Sequence, residues 1–104
     1  MIRQGDILFV PIGADELPAG VKKQESGIIA QGEATGHHHR VAPADLPVAE
    51  LFEAWEGKFL RVTERGVSIV HEEHKTVTIP PGTYRIHQAR EYDYLAQFSR
   101  TVRD

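Results

Sequence analysis

Six histidines occupy positions 37, 38, 39, 71, 74 and 87, and five of them fall in two tight groups. A neutral imidazole nitrogen is the commonest protein ligand for transition metals. In an extended chain successive side chains alternate between faces, so His37 and His39 share a face while His38 points away. Two imidazoles side by side on a strand offer two nitrogens to one ion. His71 and His74 stand three apart, a spacing that would suit one face of a helix. Their flanks, Val67-Ser68-Ile69-Val70 before and Thr76-Val77-Thr78-Ile79 after, are β-branched and favour strand. With Glu72-Glu73 as a two-residue corner, His71 and His74 become the terminal opposite pair of a hairpin, their Cβ atoms about 4.5–5.5 Å apart. Rings at that spacing can converge on N–metal bonds of about 2.0–2.1 Å.

The expected metal ligands are therefore His37, His39, His71 and His74, with His87 able to stand in for one of them. A nitrogen-rich set suits a divalent transition metal (Zn, Ni, Fe or Cu), and ligand type does not choose among these. Glu33 and Glu73 lie near the two groups as candidate carboxylate ligands or bases. In the competing reading the histidines line a polar strand face, bind no metal, and serve packing, pH response or a partner-binding surface.

These side chains need a scaffold, and the chain reads as mainly β: a small antiparallel β-barrel or sandwich with one short helix. Ile7-Leu8-Phe9-Val10-Pro11-Ile12 is a strand, which Pro11 confines to a sheet edge or terminates. Gly13 to Gly20 is a loop, and residues 21–26 are extended or loose. Strands follow over residues 27–33, 37–41, 59–63, 67–71, 74–79 and 83–88, with a last one within 95–102. Glu64-Arg65-Gly66 and Pro80-Pro81-Gly82 are turns, the second marked by the fixed φ of proline and the positive φ open to glycine. The helix is expected over 43–57. Asp45 would cap it, Pro47 suits its first turn, Val48, Leu51, Phe52 and Trp55 recur at helical spacing, and Gly57 stops it. That pattern makes Trp55 a core residue.

A chain of 104 residues fits a single domain over 1–104, with a modest core. Its 40% hydrophobic and 26% charged residues are those of a globular protein. A formal charge of −3 argues against a general nucleic-acid binder, which needs a basic face. The absence of cysteine excludes disulfides and thiolate metal sites and fits a reducing compartment. The start of the sequence has no secretory pattern, and no apolar run approaches the ~20 residues needed to span a bilayer. The expected location is the cytoplasm, away from membranes. A core this small makes a homodimer an expected way of covering edge strands.

The chain resembles small uncharacterised bacterial proteins of similar length. The shared pattern is Gly32-Glu33, Thr35-Gly36-His37, His39-Arg40, His71-x-Glu73-His74, Pro81-Gly82-x-Tyr84 and Arg90-Glu91-Tyr92. The resemblance groups these residues without implying a reaction. It adds Arg90, Glu91 and Tyr92 as candidates for binding a small-molecule substrate, Arg90 as a bidentate anion anchor. The plainer reading of the three is an ion pair beside a packed tyrosine. A looser resemblance is to the cupins, β-barrels that hold a metal with histidines from two motifs. His37-His38-His39 matches the spacing of the first motif, and Pro81-Gly82 with His87 echoes the second. The glutamate of the first motif is missing before Pro43, and His71-Glu72-Glu73-His74 has no cupin counterpart.

Two functions remain open on these residues. One is a metal-binding protein which, as an enzyme, would activate water at an open position, with Glu73 or Glu91 as base. The other is a non-catalytic oligomeric partner-binding module whose histidines bind no metal.

Overall fold

The computed structural model describes residues 1–31 and 37–88. Within them the chain is mainly β, built as two antiparallel sheets with two short 3-10 turns. The strands are β1 (Ile2–Gln4), β2 (Ile7–Ile12), β3 (Lys22–Gln24), β4 (Ile28–Gln31), β5 (His38–Val41), β6 (Ala49–Ala54), β7 (Gly57–Val62), β8 (Val67–Val70), β9 (Val77–Ile79) and β10 (Gly82–Gln88). The six-stranded sheet has the order β1-β2-β10-β7-β6-β3, and the four-stranded sheet has the order β4-β5-β8-β9. No ladder joins the two sheets among the described residues.

One core lies between them. The larger sheet contributes Ile7, Phe9, Leu51, Leu60, Val62 and Tyr84, and the smaller contributes Ile29, Val41, Val67, Ile69 and Ile79. Each set follows the period-two alternation of a half-buried strand, which fixes the register by fixing the face. Phe52 and Phe59 are buried on the opposite face of the larger sheet, where the guanidinium groups of Arg61 and Arg85 lie 5.2 and 5.8 Å from their rings.

The expected helix over 43–57 is not formed. A 3-10 turn spans Pro43–Val48, and the chain then runs straight into β6. The apolar residues that read as one helical stripe divide between two faces of a strand: Leu51 enters the core, whereas Phe52 lies under Arg61. Burial on both faces erases the alternation that would have marked a strand. Ala54 pairs with Gly57 across a two-residue hairpin turn, which puts Trp55 at the tip, 95% exposed, instead of in the core. Asp45 does not cap a helix. Its carboxylate accepts from the backbone N–H of Ser68 and from Arg65, tying the 3-10 turn to the start of β8.

Pro11 lies inside the larger sheet, because β2 is flanked by β1 and β10. The β1 ladder reaches only Phe9, so Pro11 stands past its end, where the missing N–H costs no bond to β1. The strand expected over 74–79 begins only at Val77, and the tail from residue 89 onward lies outside the described residues. No helix among the described residues is long and apolar enough to cross a membrane.

The Pro80-Pro81-Gly82 turn is closed by a buried side chain. The Tyr84 hydroxyl donates to the Pro80 carbonyl at 2.7 Å, and Gly82 has φ +152°. A Cβ on Gly82 would meet the Tyr84 hydroxyl at 3.3 Å. Gly82→Val should therefore destabilise the protein by about 1–3 kcal/mol, read as a lower midpoint in chemical denaturation. A midpoint equal to that of the unmodified protein would mean that the turn tolerates a side chain.

Candidate metal centre

Two segments bring three histidines together at one end of the sheets. His39 comes from β5, while His71 and His74 come from the connection between β8 and β9. Ligand nitrogens of His39, His71 and His74 all lie within 4.8 Å of one another. Ring centroids are 4.3 Å apart for His39 and His71, 4.6 Å for His71 and His74, and 5.8 Å for His39 and His74. The cluster grades from inside to outside, with His39 buried, His71 half-buried and His74 exposed.

The β8–β9 connection is wider than a two-residue corner. The ladder ends at the Ile69↔Val77 pair, so His71 and His74 both stand in the loop beyond it. The Glu73 backbone N–H donates to His71 Nδ1 at 3.0 Å, a local turn that substitutes for ladder bonds. The carbonyl of Lys75 is taken by Gln4 of β1.

Gln4 fixes the state of His39. Its side chain is 2% exposed, and its amide nitrogen donates to the carbonyls of Ile69 at 2.8 Å and Lys75 at 2.9 Å. A carboxamide nitrogen has two hydrogens, and both are used. Flipping the amide would turn its oxygen toward two carbonyl oxygens, an acceptor against two acceptors. Gln4 Oε1 therefore points to His39 Nδ1, 2.9 Å away, and Nδ1 must be the donor. That tautomer leaves a lone pair on His39 Nε2, the arrangement by which a hydrogen-bond partner on one ring nitrogen prepares the other for a metal. Burial first, and then the neighbouring His71, hold the His39 pKa below its ordinary value and keep the ring neutral.

His71 is in the opposite state. Its Nδ1 accepts a hydrogen bond, so in the neutral ring the proton sits on Nε2. Ligation through Nε2 would displace that proton and break the bond from Glu73, which contributes about 0.5–1.5 kcal/mol. His74 packs against the β1–β2 turn so closely that a Cβ on Gly5 would stand 2.6 Å from its Nε2. Gly5 has φ +59°, so glycine answers both the backbone conformation and the contact.

The other candidates are placed differently. His37 Nδ1 lies 3.2 Å from Glu73 Oε1, and its ring meets His71 edge-on at 5.8 Å. With His71 and Glu72 it forms a second group of close ligand atoms, but it does not belong to the three-imidazole set. Glu72 accepts from the backbone N–H of His38, and backbone N–H groups hold its carboxyl below the ordinary range. His38 and His87 are in neither group. Glu33, Arg90, Glu91 and Tyr92 lie outside the described residues. Sequence reasoning missed Gln4, Gly5 and Asp6. Asp6 Oδ1 lies 3.6 Å from His39 Nε2. The local signal there is only the Gly5-Asp6 turn ahead of the apolar run of β2.

Residues 3–89 match the family described as a domain of unknown function (DUF8820), and the chain belongs to that family. The match takes in all six histidines. No curated protein and no solved structure matches the chain.

Two outcomes are expected from this geometry. Replacing Gln4 by Leu strands the Ile69 and Lys75 carbonyls and the His39 donor, and should cost on the order of 2–4 kcal/mol in denaturant unfolding. A loss under half a kcal/mol would show that water replaces the amide. The depressed pKa of His39 means that the unfolded chain binds the proton more readily than the folded one. Its contribution to stability is full above pH 6.5 and is lost as pH falls through the lower folded value. Metal-free protein should therefore unfold more easily as pH drops below 6.5, and His39→Gln should flatten that limb. A pH profile identical in the variant would assign the effect elsewhere.

Proposed function

We propose that this protein binds one divalent transition metal ion through His39, His71 and His74. The observation that carries the reading is the His39 tautomer. A buried amide with no freedom to flip holds Nδ1–H and presents a bare Nε2 to two further imidazoles.

The ion is zinc, nickel, iron or copper by ligand chemistry. His37 stands beside the three as a neighbour of His71, and its bond to Glu73 makes it an outer support. No reaction is assigned to the site.

Elemental analysis of untagged protein purified without chelator or nickel resin tests this directly. A single equivalent of one metal is expected, and a His71→Ala/His74→Ala double variant should lose it. His74→Ala alone should weaken binding strongly, since His74 is exposed and its loss leaves the core intact. His38→Ala should leave affinity unchanged. If metal-free protein takes up no divalent ion on titration, the histidines serve packing, pH response or a protein partner instead.

A further inference from the structure

The turn between β1 and β2 touches the histidine cluster three times in three successive residues. Gln4 holds His39 Nδ1, the Gly5 backbone backs the His74 ring, and Asp6 faces His39 Nε2. The first two contacts have ordinary explanations, a hydrogen bond and a close approach that only glycine allows. The third does not.

Asp6 Oδ1 lies 3.6 Å from His39 Nε2. The tautomer set by Gln4 makes Nε2 an acceptor, and a carboxylate is an acceptor as well. Two lone pairs facing each other across that distance repel. A charged His39 would make the contact an ion pair, longer than the ~2.7–2.9 Å of a charge-assisted hydrogen bond. The spacing is also close to that of two ligands of a single ion. With bonds of about 2.0–2.2 Å, adjacent ligands on a tetrahedron stand roughly 3.4 Å apart.

We propose that Asp6 is the fourth ligand of the metal held by His39, His71 and His74, closing a tetrahedral set of three nitrogens and one oxygen. The proposal rests on the metal-binding reading above. Four-coordinate N3O ligation selects a tetrahedral ion, which among the candidates is zinc. The Asp6 side chain is 68% exposed and stands outside the closest three-imidazole group. It swings in from solvent to complete the shell. A closed shell of four protein ligands marks a site that retains its ion, and the carboxylate is its one easily displaced arm. The sequence signature of the site is then Gln4-Gly5-Asp6 together with His39, His71 and His74.

Cobalt(II) is the probe, because tetrahedral Co(II) absorbs visible light far more strongly than the six-coordinate ion. Metal-free full-length protein would be titrated with Co(II) and then with Zn(II) against a chromophoric chelator. The unmodified chain should bind a single equivalent with intense tetrahedral bands. Asp6→Ala should still bind one equivalent, about 10–100-fold more weakly, with bands shifted as water replaces the carboxylate. Asp6→Asn keeps the turn chemistry and should show the same loss, which carries the test if the alanine variant does not fold. Unchanged affinity and spectrum in both variants would overturn the role of Asp6 while leaving the three-histidine site standing. Failure of the unmodified chain to bind Co(II) or Zn(II) would remove that site and the Asp6 ligand together.

Discussion

The buried carboxamide of Gln4 is the point at which the two sheets are locked together. It is anchored on an edge strand of the larger sheet, and all three of its hydrogen bonds go to the smaller sheet or the loop that leaves it. Such a group is costly to bury unless every donor and acceptor is matched, and here the matching is complete. The constraint is also directional. Apolar contacts such as those of Phe9 and Ile69 tolerate small slips, whereas two donors and one acceptor admit a single alignment of β1 with β5 and β8. Because His39 is one of the three partners, the alignment of the sheets and the state of the histidine are set by the same interaction.

This coupling explains why the cluster sits at the end of the sheets. There the ladders stop: β8 pairs with β9 only as far as Ile69, and β5 begins at His38. Backbone groups past the last pair need other partners, and Gln4, Glu72 and the His71 ring supply them. Side chains that finish a sheet edge are thereby drawn into one small volume. Imidazole suits the place because one ring nitrogen can satisfy the backbone or an amide while the other stays available. His39 and His71 use that property in opposite senses, one prepared for an ion and the other holding a turn.

Several polar side chains away from the histidines have structural work. Tyr84 closes the Pro80-Pro81-Gly82 turn and is buried in the shared core. Glu50 and Arg61 are a cross-strand pair at 2.9 Å on the face of β6 and β7, where Arg61 also covers Phe52. Arg65 and Asp45 hold the 3-10 turn against β8. Charged residues here cover the sheets, while the edge strands β1, β3, β4 and β9 are only three or four residues long.

The sequence by itself determined that the chain is mainly β, because β-branched alternation and the Pro-Pro-Gly and Glu-Arg-Gly turns are local signals. It also placed His39 on a strand and His71 and His74 near the end of a hairpin, although His37 lies just before β5 and the hairpin loop is wider than two residues. It misread residues 43–57, since Leu51 and Phe52 are buried on opposite faces of one strand and a doubly buried strand shows no alternation. Only the tertiary structure decided that β1 crosses to the smaller sheet through Gln4, and that His39, His71 and His74 rather than His37 form the closest set. The reason is sequence separation. Gln4, which orients His39, stands 35 residues from it, and the carbonyls that anchor Gln4, those of Ile69 and Lys75, stand 65 and 71 residues from Gln4. No local propensity encodes contacts of that range; packing the two sheets around one core does.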